Sequence, residues 1–291
     1  MLTLIMLRKN LLFVLLFLFF LTAYLILGIQ KYNRFETGED LAIYCQTIWH
    51  YSRLETPFVS IIIHTSILNQ RFGPIMASLA PFFKVWPDAR LLIGIQQILV
   101  VSGVIPLYLF SCRLFKKKYI SLIFSFLYLY FIGIQSAVYA DFHGAAISSA
   151  FLAFAIYFLE TKNWKFYWLF CILAMFWKED VPTYIFALGF YALIIKKEYK
   201  RGLITIIMSL LYFYSINNFL LPIMNNQIPK IGSFGGKSNE ILKIFFNSPF
   251  LFLKTFILPI VKLRNIFLTS FSFGFLPFFS PPKSDKSKQL L

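Results

Sequence analysis

"FYWLFCILAMFWKEDVPTYIFALGFYALII" (166–195) sets Lys178, Glu179 and Asp180 side by side between two uncharged apolar runs, 166–177 and 181–195. At about 1.5 Å of rise per residue, such runs reach only roughly 20 Å as helices, against a hydrocarbon core of about 30 Å. Two short membrane helices joined by a charged turn is the reading this spacing favours. The turn then sits below the membrane surface and faces a polar cavity, because a lone charge at that depth is costly. Lys178 is expected to pair with Glu179, with Asp180 or with a neighbouring helix. A short solvated turn capping two helices is the plainer alternative.

The rest of the chain has the same character. Of 291 residues, 59% are hydrophobic, 20% aromatic and only 14% charged, with a mean hydropathy of +0.72. A soluble domain is nearer a quarter charged. The fold class expected is therefore all-α, a polytopic transmembrane helical bundle in the plasma (inner) membrane. The formal charge of +16 does not indicate nucleic acid as a partner. The basic residues gather in short patches between apolar runs, "RLFKKK" (113–118) and "KKEYKR" (196–201), as they do in cytoplasmic loops. Membrane lipid is the partner such patches imply. Cys45, Cys112 and Cys171 are odd in number and scattered, forming neither a metal spacing nor a disulfide framework.

Arg8 and Lys9 place the N-terminus on the cytoplasmic side, and a first helix over about 10–29 stays as an anchor rather than leaving as a signal peptide. The first external loop, about 30–88, is the most polar region. It ends in the proline-broken piece 73–88, read as an interfacial or re-entrant segment. Crossings are expected at 89–111, 119–138, 145–160, 166–177, 181–195 and 203–221, with a polar loop at 223–240. Two apolar stretches, 245–261 and 265–279, flank Lys262 and Arg264. Residues 1–279 make one transmembrane domain, and 280–291 a solvated, disordered tail. With the basic loops inside, Asp40, "DFH" (141–143) and "KED" (178–180) all fall at outer helix ends and converge on one face.

Each cluster has a plainer counterpart. Asp40 in "GEDLAIYCQTIW" shares a helical face with Tyr44 and with Gln46 or Thr47, yet an Asp before an apolar run is also a common helix cap. Asp141 and His143 suit a divalent cation by chemistry, and equally a helix cap beside an interfacial histidine. His64 reads as a packed residue, and "GSFGGKSNE" as a flexible loop without the phosphate-loop spacing.

Taken in order, "EDLAIYCQTIWH", "RFGPIMASLAPFF", "YADFHGAAI" and "FWKEDVPTY" resemble a family of uncharacterised prokaryotic multi-pass membrane proteins, known by a domain of unknown function and grouped with GT-C-type glycosyltransferases. The resemblance runs from about Phe35 to about Arg201. It implies a GT-C-like bundle whose first external loop carries short interfacial helices, and a lipid-linked sugar donor such as a polyprenyl-phosphate sugar. Asp40 would be the catalytic acid–base group, with Glu179 and Asp180 beside it. Lys178 and Arg71 would meet the donor phosphate, while Asp141, His143, Gln46 and Trp49 would complete substrate binding. The resemblance leaves the cofactor open; a divalent cation held by Asp141 and His143 is the candidate that their chemistry offers. Arg71-Phe72 departs from the family's usual His-Phe, and the chain is shorter than its relatives.

The leading expectation is a glycosyltransferase acting at the outer face. The alternatives are a transporter or lipid flippase, in which the buried charges carry a proton or hold an anionic headgroup, and a non-catalytic accessory membrane protein. The absence of an internal repeat counts against transport.

Overall fold

The computed structural model describes residues 10–60, 65–69, 73–216, 218, 250 and 260–272. Arg71, His64, the loop at 223–240 and the tail at 280–291 lie outside them. The chain divides into two units, one of residues 1–130 with 134–229, the other of residues 131–133 with 230–291.

The first unit is almost wholly helical. Helix α1 (Leu11–Asn33) is followed by α2 (Glu39–Ser52), a two-residue antiparallel ribbon of β1 (Phe58–Val59) and β2 (Thr65–Ser66), and 3-10 turns at Ile67–Asn69 and Pro74–Leu79. Then come α3 (Ala80–Val85), α4 (Ala89–Ser102), α5 (Val104–Phe115), α6 (Lys118–Tyr130) and α7 (Ile132–Tyr139). The series closes with α8 (Gly144–Glu160), α9 (Trp164–Met175), α10 (Val181–Phe190), a π turn at Tyr191–Ile195, and α11 (Tyr199–Ser215).

By length and composition, α1 and the continuous pair α4–α5 (Ala89–Phe115) can cross a membrane. The pair α6–α7 passes the same test but bends by 45°. The crossing expected at 89–111 thus runs on to Phe115 with a break at Gly103, where a Cβ would strike the Tyr128 hydroxyl and crowd the Val100 carbonyl and the Ala150 Cα. Helices α8, α9 and α10 are apolar but short, 17, 12 and 10 residues.

Packing is sequential. α5 lies on α6, α8 on α9 and α10 on α11, while α4 touches both α1 and α8. The tightest crossing sets Gly189 of α10 against Gly202 of α11, where a Cβ on either residue would meet the other's carbonyl oxygen. Small residues let membrane helices approach closely where apolar burial supplies no drive. One core joins α2 to α4 and α8 through Ile48, Leu92 and Ile147, all fully buried; a second fills the space among α8, α9 and α10 with Tyr167, Cys171 and Ile185.

In the second unit the described helix is α12 (Ile260–Ser272). It runs straight through Lys262 and Arg264, which corrects the expectation that these two cations divide separate apolar stretches. A helix continues through a polar position where that side chain can reach solvent, and Arg264 is exposed.

At Gly144 an added Cβ would strike the Trp177 carbonyl. Gly144→Ala is expected to destabilise the protein by about 1–3 kcal/mol, read as a lower melting temperature in detergent. Gly94→Ala, where the nearest neighbour is Leu25 Cδ2 at 3.9 Å, should leave the melting temperature unchanged or raise it.

Candidate functional site

Where α1 ends, Lys31 sits in its last turn. Its ammonium donates to Asp141 Oδ1 at 3.0 Å and to the Tyr139 carbonyl at 2.9 Å, and lies 4.8 Å above the Tyr139 ring. The other Asp141 oxygen accepts the Gly38 N–H at 2.7 Å. Both charged side chains are nearly buried, at 13% and 12% exposure. Asp141 therefore does not cap α8, and both of its oxygens are engaged within the chain.

Gly38 holds the N-cap position of α2, so Asp40 stands inside the first turn rather than capping it. From there its Oδ2 reaches to 3.3 Å from His143 Nε2. Both side chains are partly exposed, 23% for Asp40 and 38% for His143. His143 occupies the N-cap position of α8 in an extended conformation. Its backbone N–H donates to Gln96 Oε1 at 2.7 Å, while the Gln96 amide donates to the Ala137 and Asp141 carbonyls at 3.1 and 3.3 Å. Next along α4, Gln97 donates to the Val138 carbonyl at 2.9 Å. Gln96 and Gln97 are buried. Sequence reasoning passed over them, although two adjacent amides in an otherwise apolar run were a readable signal: a buried polar group in a membrane helix needs a partner.

The third cluster closes on the same place through the backbone. The Trp177 carbonyl lies against both Gly144 and Gly73, and the Phe176 carbonyl accepts the Ile75 N–H at 3.4 Å. Phe142 is buried, edge-on to Tyr44 at 5.3 Å and 6.4 Å from the Trp177 ring. Lys178 Nζ donates to Asp180 Oδ2 at 3.1 Å, one of the three pairings that the sequence left open. Glu179 is half-buried beside them. The structure thus brings the starts of α2 and α8, the turn before α10 and residues 73–75 to one locus. Arg71, next to that locus in sequence, lies outside the described residues.

Gln46 and Trp49 sit elsewhere. Gln46 donates to Ser60 Oγ at 3.0 Å and accepts the Ser60 N–H at 3.1 Å, pinning the ribbon to α2. Trp49 lies beneath the Arg53 guanidinium, 4.1 Å from its ring centroid. Both border an open cleft of about 520 Å³, with Cys45, His50, Phe58 and Phe83 also in its wall. Nine residues of helix separate Trp49 from Asp40, about 14 Å. Burial, and secondarily Asp88, pushes the Cys45 thiol up to about 12.

A metal at this locus would find two side chains, Asp40 and His143. Among the described residues no three His, Cys, Asp or Glu stand close enough to hold an ion, and Asp141 is already doubly engaged. The donor set does not fit a resident cation, and no step is assigned to one.

The family described as "predicted membrane protein (DUF2079)" matches residues 31–283. The chain belongs to this family. The match covers every element of the locus from Lys31 to Asp180. No curated protein and no solved structure matches the chain. This DUF2079 protein is accordingly a membrane protein with helices able to span a bilayer.

Two predictions follow from the different duties of these side chains. Asp141→Ala strands the nearly buried Lys31 and is expected to cost about 3 kcal/mol, whereas Asp40→Asn should leave thermal unfolding in detergent near wild type. Cys45 should resist a water-soluble maleimide between pH 7 and 9 while the protein is folded, since its thiolate forms only around pH 12. Labelling counted by mass spectrometry, before and after denaturation, checks it.

Proposed function

We propose that this DUF2079 protein is a GT-C-like glycosyltransferase, moving a sugar from a polyprenyl-phosphate-type donor to an acceptor at the outer face of the inner membrane. The observation that carries the reading is the partly exposed pair of Asp40 and His143, 3.3 Å apart and adjoining the charged turn at 178–180. A carboxylate beside an imidazole supplies the proton acceptor that an acceptor hydroxyl needs.

In this reading the acceptor O–H gives its proton to Asp40, with His143 at hand to share it, as the oxygen forms a bond to the anomeric carbon. The bond from that carbon to the phosphate oxygen breaks, and the lipid phosphate leaves with the electron pair. Lys178 meets the departing charge; its ammonium has three donors, one of which is used on Asp180. Asp180 keeps that ammonium in place. Asp141 serves the site indirectly by fixing the turn that carries His143, and Gln96 does so by holding His143's backbone. Gln46 and Trp49 border the separate cleft, so their part in substrate binding would lie away from the reacting bond.

Transport remains the second reading, favoured by the 45° bend between α6 and α7, since broken helices are a feature of transporters. The test is a transfer assay with purified protein and polyprenyl-phosphate sugars. Wild type should release lipid phosphate and form product; Asp40→Asn and His143→Ala should each lower turnover by about 100-fold or more. Lys178→Gln should lower it less, raising KM for the donor. Full turnover in Asp40→Asn, or substrate counterflow in proteoliposomes without any lipid-linked sugar, would sink the enzyme reading.

A further inference from the structure

The ends of the helices remote from Asp40 and His143 carry a feature that the proposed chemistry does not use. α8 runs from His143 at one end to Glu160 at the other, about 25 Å away. Around that far end stand three helix–helix turns, at 115–118, 160–164 and 195–199. Each contains a lysine in the left-handed backbone region: Lys116 at φ 53°, Lys162 at φ 55° and Lys197 at φ 56°. Glycine adopts that conformation with less strain than any side-chain-bearing residue. Each turn leads into a helix with an aromatic residue at its first or second position, Tyr119, Trp164 and Tyr199. The other non-glycine residues found there among the described ones, Phe35 and Leu54, belong to the region of α1's end and α2's end and are apolar. Lysine is thus particular to these three turns.

The turns are fastened together. Glu198 accepts from Lys162 at 2.9 Å and from Arg201 at 2.9 Å, and Arg201 also lies 4.4 Å over the Trp164 ring. Lys162, through its hydrogen bond, holds the Glu198 carboxyl below the usual carboxylate range, so it stays ionised. Glu160 accepts from Lys196 at 2.6 Å and from the Tyr191 hydroxyl at 2.8 Å. Arg113 reaches the Tyr157 ring at 5.7 Å, drawing in the third turn. Over residues 113–118, 160–165 and 196–201 the sequence carries ten Lys and Arg against two Glu, and both Glu are spent on these ties. Lys116, Lys117, Lys118, Lys165, Lys197 and Lys200 stay exposed.

Immediately beside the lysines, Phe115, Phe166, Ile194, Ile195 and Tyr199 are exposed too. A face meeting only water would not surround its charges with bare Ile and Phe. A face at the boundary between acyl chains and headgroups would, with aromatic rings at the same level. We propose that the three turns form one collar that binds anionic phospholipids, the phosphodiester oxygens of their headgroups accepting from the lysine ammoniums. The proposal rests on the membrane family and not on the glycosyltransferase reading.

The left-handed lysines supply the test. K116G/K197G removes charge while relieving backbone strain, and K117Q/K165Q/K200Q removes it with no backbone demand. Full-length protein in nanodiscs of mixed phosphatidylglycerol and phosphatidylcholine is released, and the retained lipids are counted by native mass spectrometry. Wild type should keep phosphatidylglycerol in preference, and each variant should lose that preference at least about fivefold with its melting temperature in detergent unchanged or higher. K84Q, which removes an exposed lysine on α3, should leave the preference intact. Unchanged preference in both collar variants overturns the proposal. So does a detergent-solubilised protein that is stabilised by inorganic phosphate as strongly as by phosphatidylglycerol, which would mark a soluble-anion site.

Discussion

A carboxylate tucked among helix ends is tolerated where its oxygens find donors, and both oxygens of Asp141 do so, from two directions. Lys31 approaches from the last turn of α1, and the Gly38 N–H from the start of α2. One side chain therefore fixes three segments at once: the end of α1, the entry of α2 and the turn between α7 and α8. Gly38 has no side chain because a Cβ there would meet the Asp141 carboxylate at 2.5 Å. Removing the acid would leave a nearly buried ammonium, so the pair is held as a unit. The approach of Asp40 to His143 depends on it, since each is within two residues of one of the tied groups.

Helix length carries the next constraint. With 17 residues α8 is at the lower limit for a bilayer core, while α9, with 12, and α10, with 10 and a π turn on to Ile195, fall short of one. Short helices bring their polar ends into the region where a membrane offers little water, and such ends must find protein partners. At one end the partners are backbone groups: the Trp177 carbonyl against Gly144 and Gly73, and the Gln96 amide on Ala137 and Asp141. At the other they are ion pairs among Glu160, Lys196, Glu198, Lys162 and Arg201. The first arrangement is close backbone packing, and the second a charged rim.

Much of this was legible in the residues. Apolar runs separated by basic patches disclosed the helices, and the "KED" spacing called for a partner to Lys178 without choosing Asp180. The polar clusters were expected to meet on the strength of a count of crossings; the structure brings them together by contacts among Gly38, Asp141, Gly144 and Trp177. What stayed hidden was the assignment of each polar side chain to structure or to chemistry. Asp141 and His143 are two residues apart and look alike as candidates, yet only the coordinates show Lys31, 110 residues away, engaging the first. Gln46 read as a substrate group because its partner, Ser60, lies 14 residues further along in a ribbon of two-residue strands too short for any periodicity to reveal. Lys262 and Arg264 looked like a helix boundary because charge was weighed above helical continuity. Tertiary partners at long sequence separation are what a single sequence withholds.

Among the polar residues of the locus, those that hold the fold and those that keep an approachable surface are different residues. Asp141, Gln96 and Gln97 are buried or nearly so and bonded to main chain. Asp40, His143 and Lys178 retain between 23% and 37–38% exposure. A group that must exchange a proton or meet a phosphate needs that access, and it needs a rigid neighbour to set its position. His143 has both: a side chain partly open toward Asp40, and a backbone N–H fastened to a buried glutamine. The buried amides and the Lys31–Asp141 tie set where the exposed groups stand. A purely structural cap would have spent its side chain on the helix end, and His143 and Asp180, at the N-cap positions of α8 and α10, make no side-chain cap bond at all.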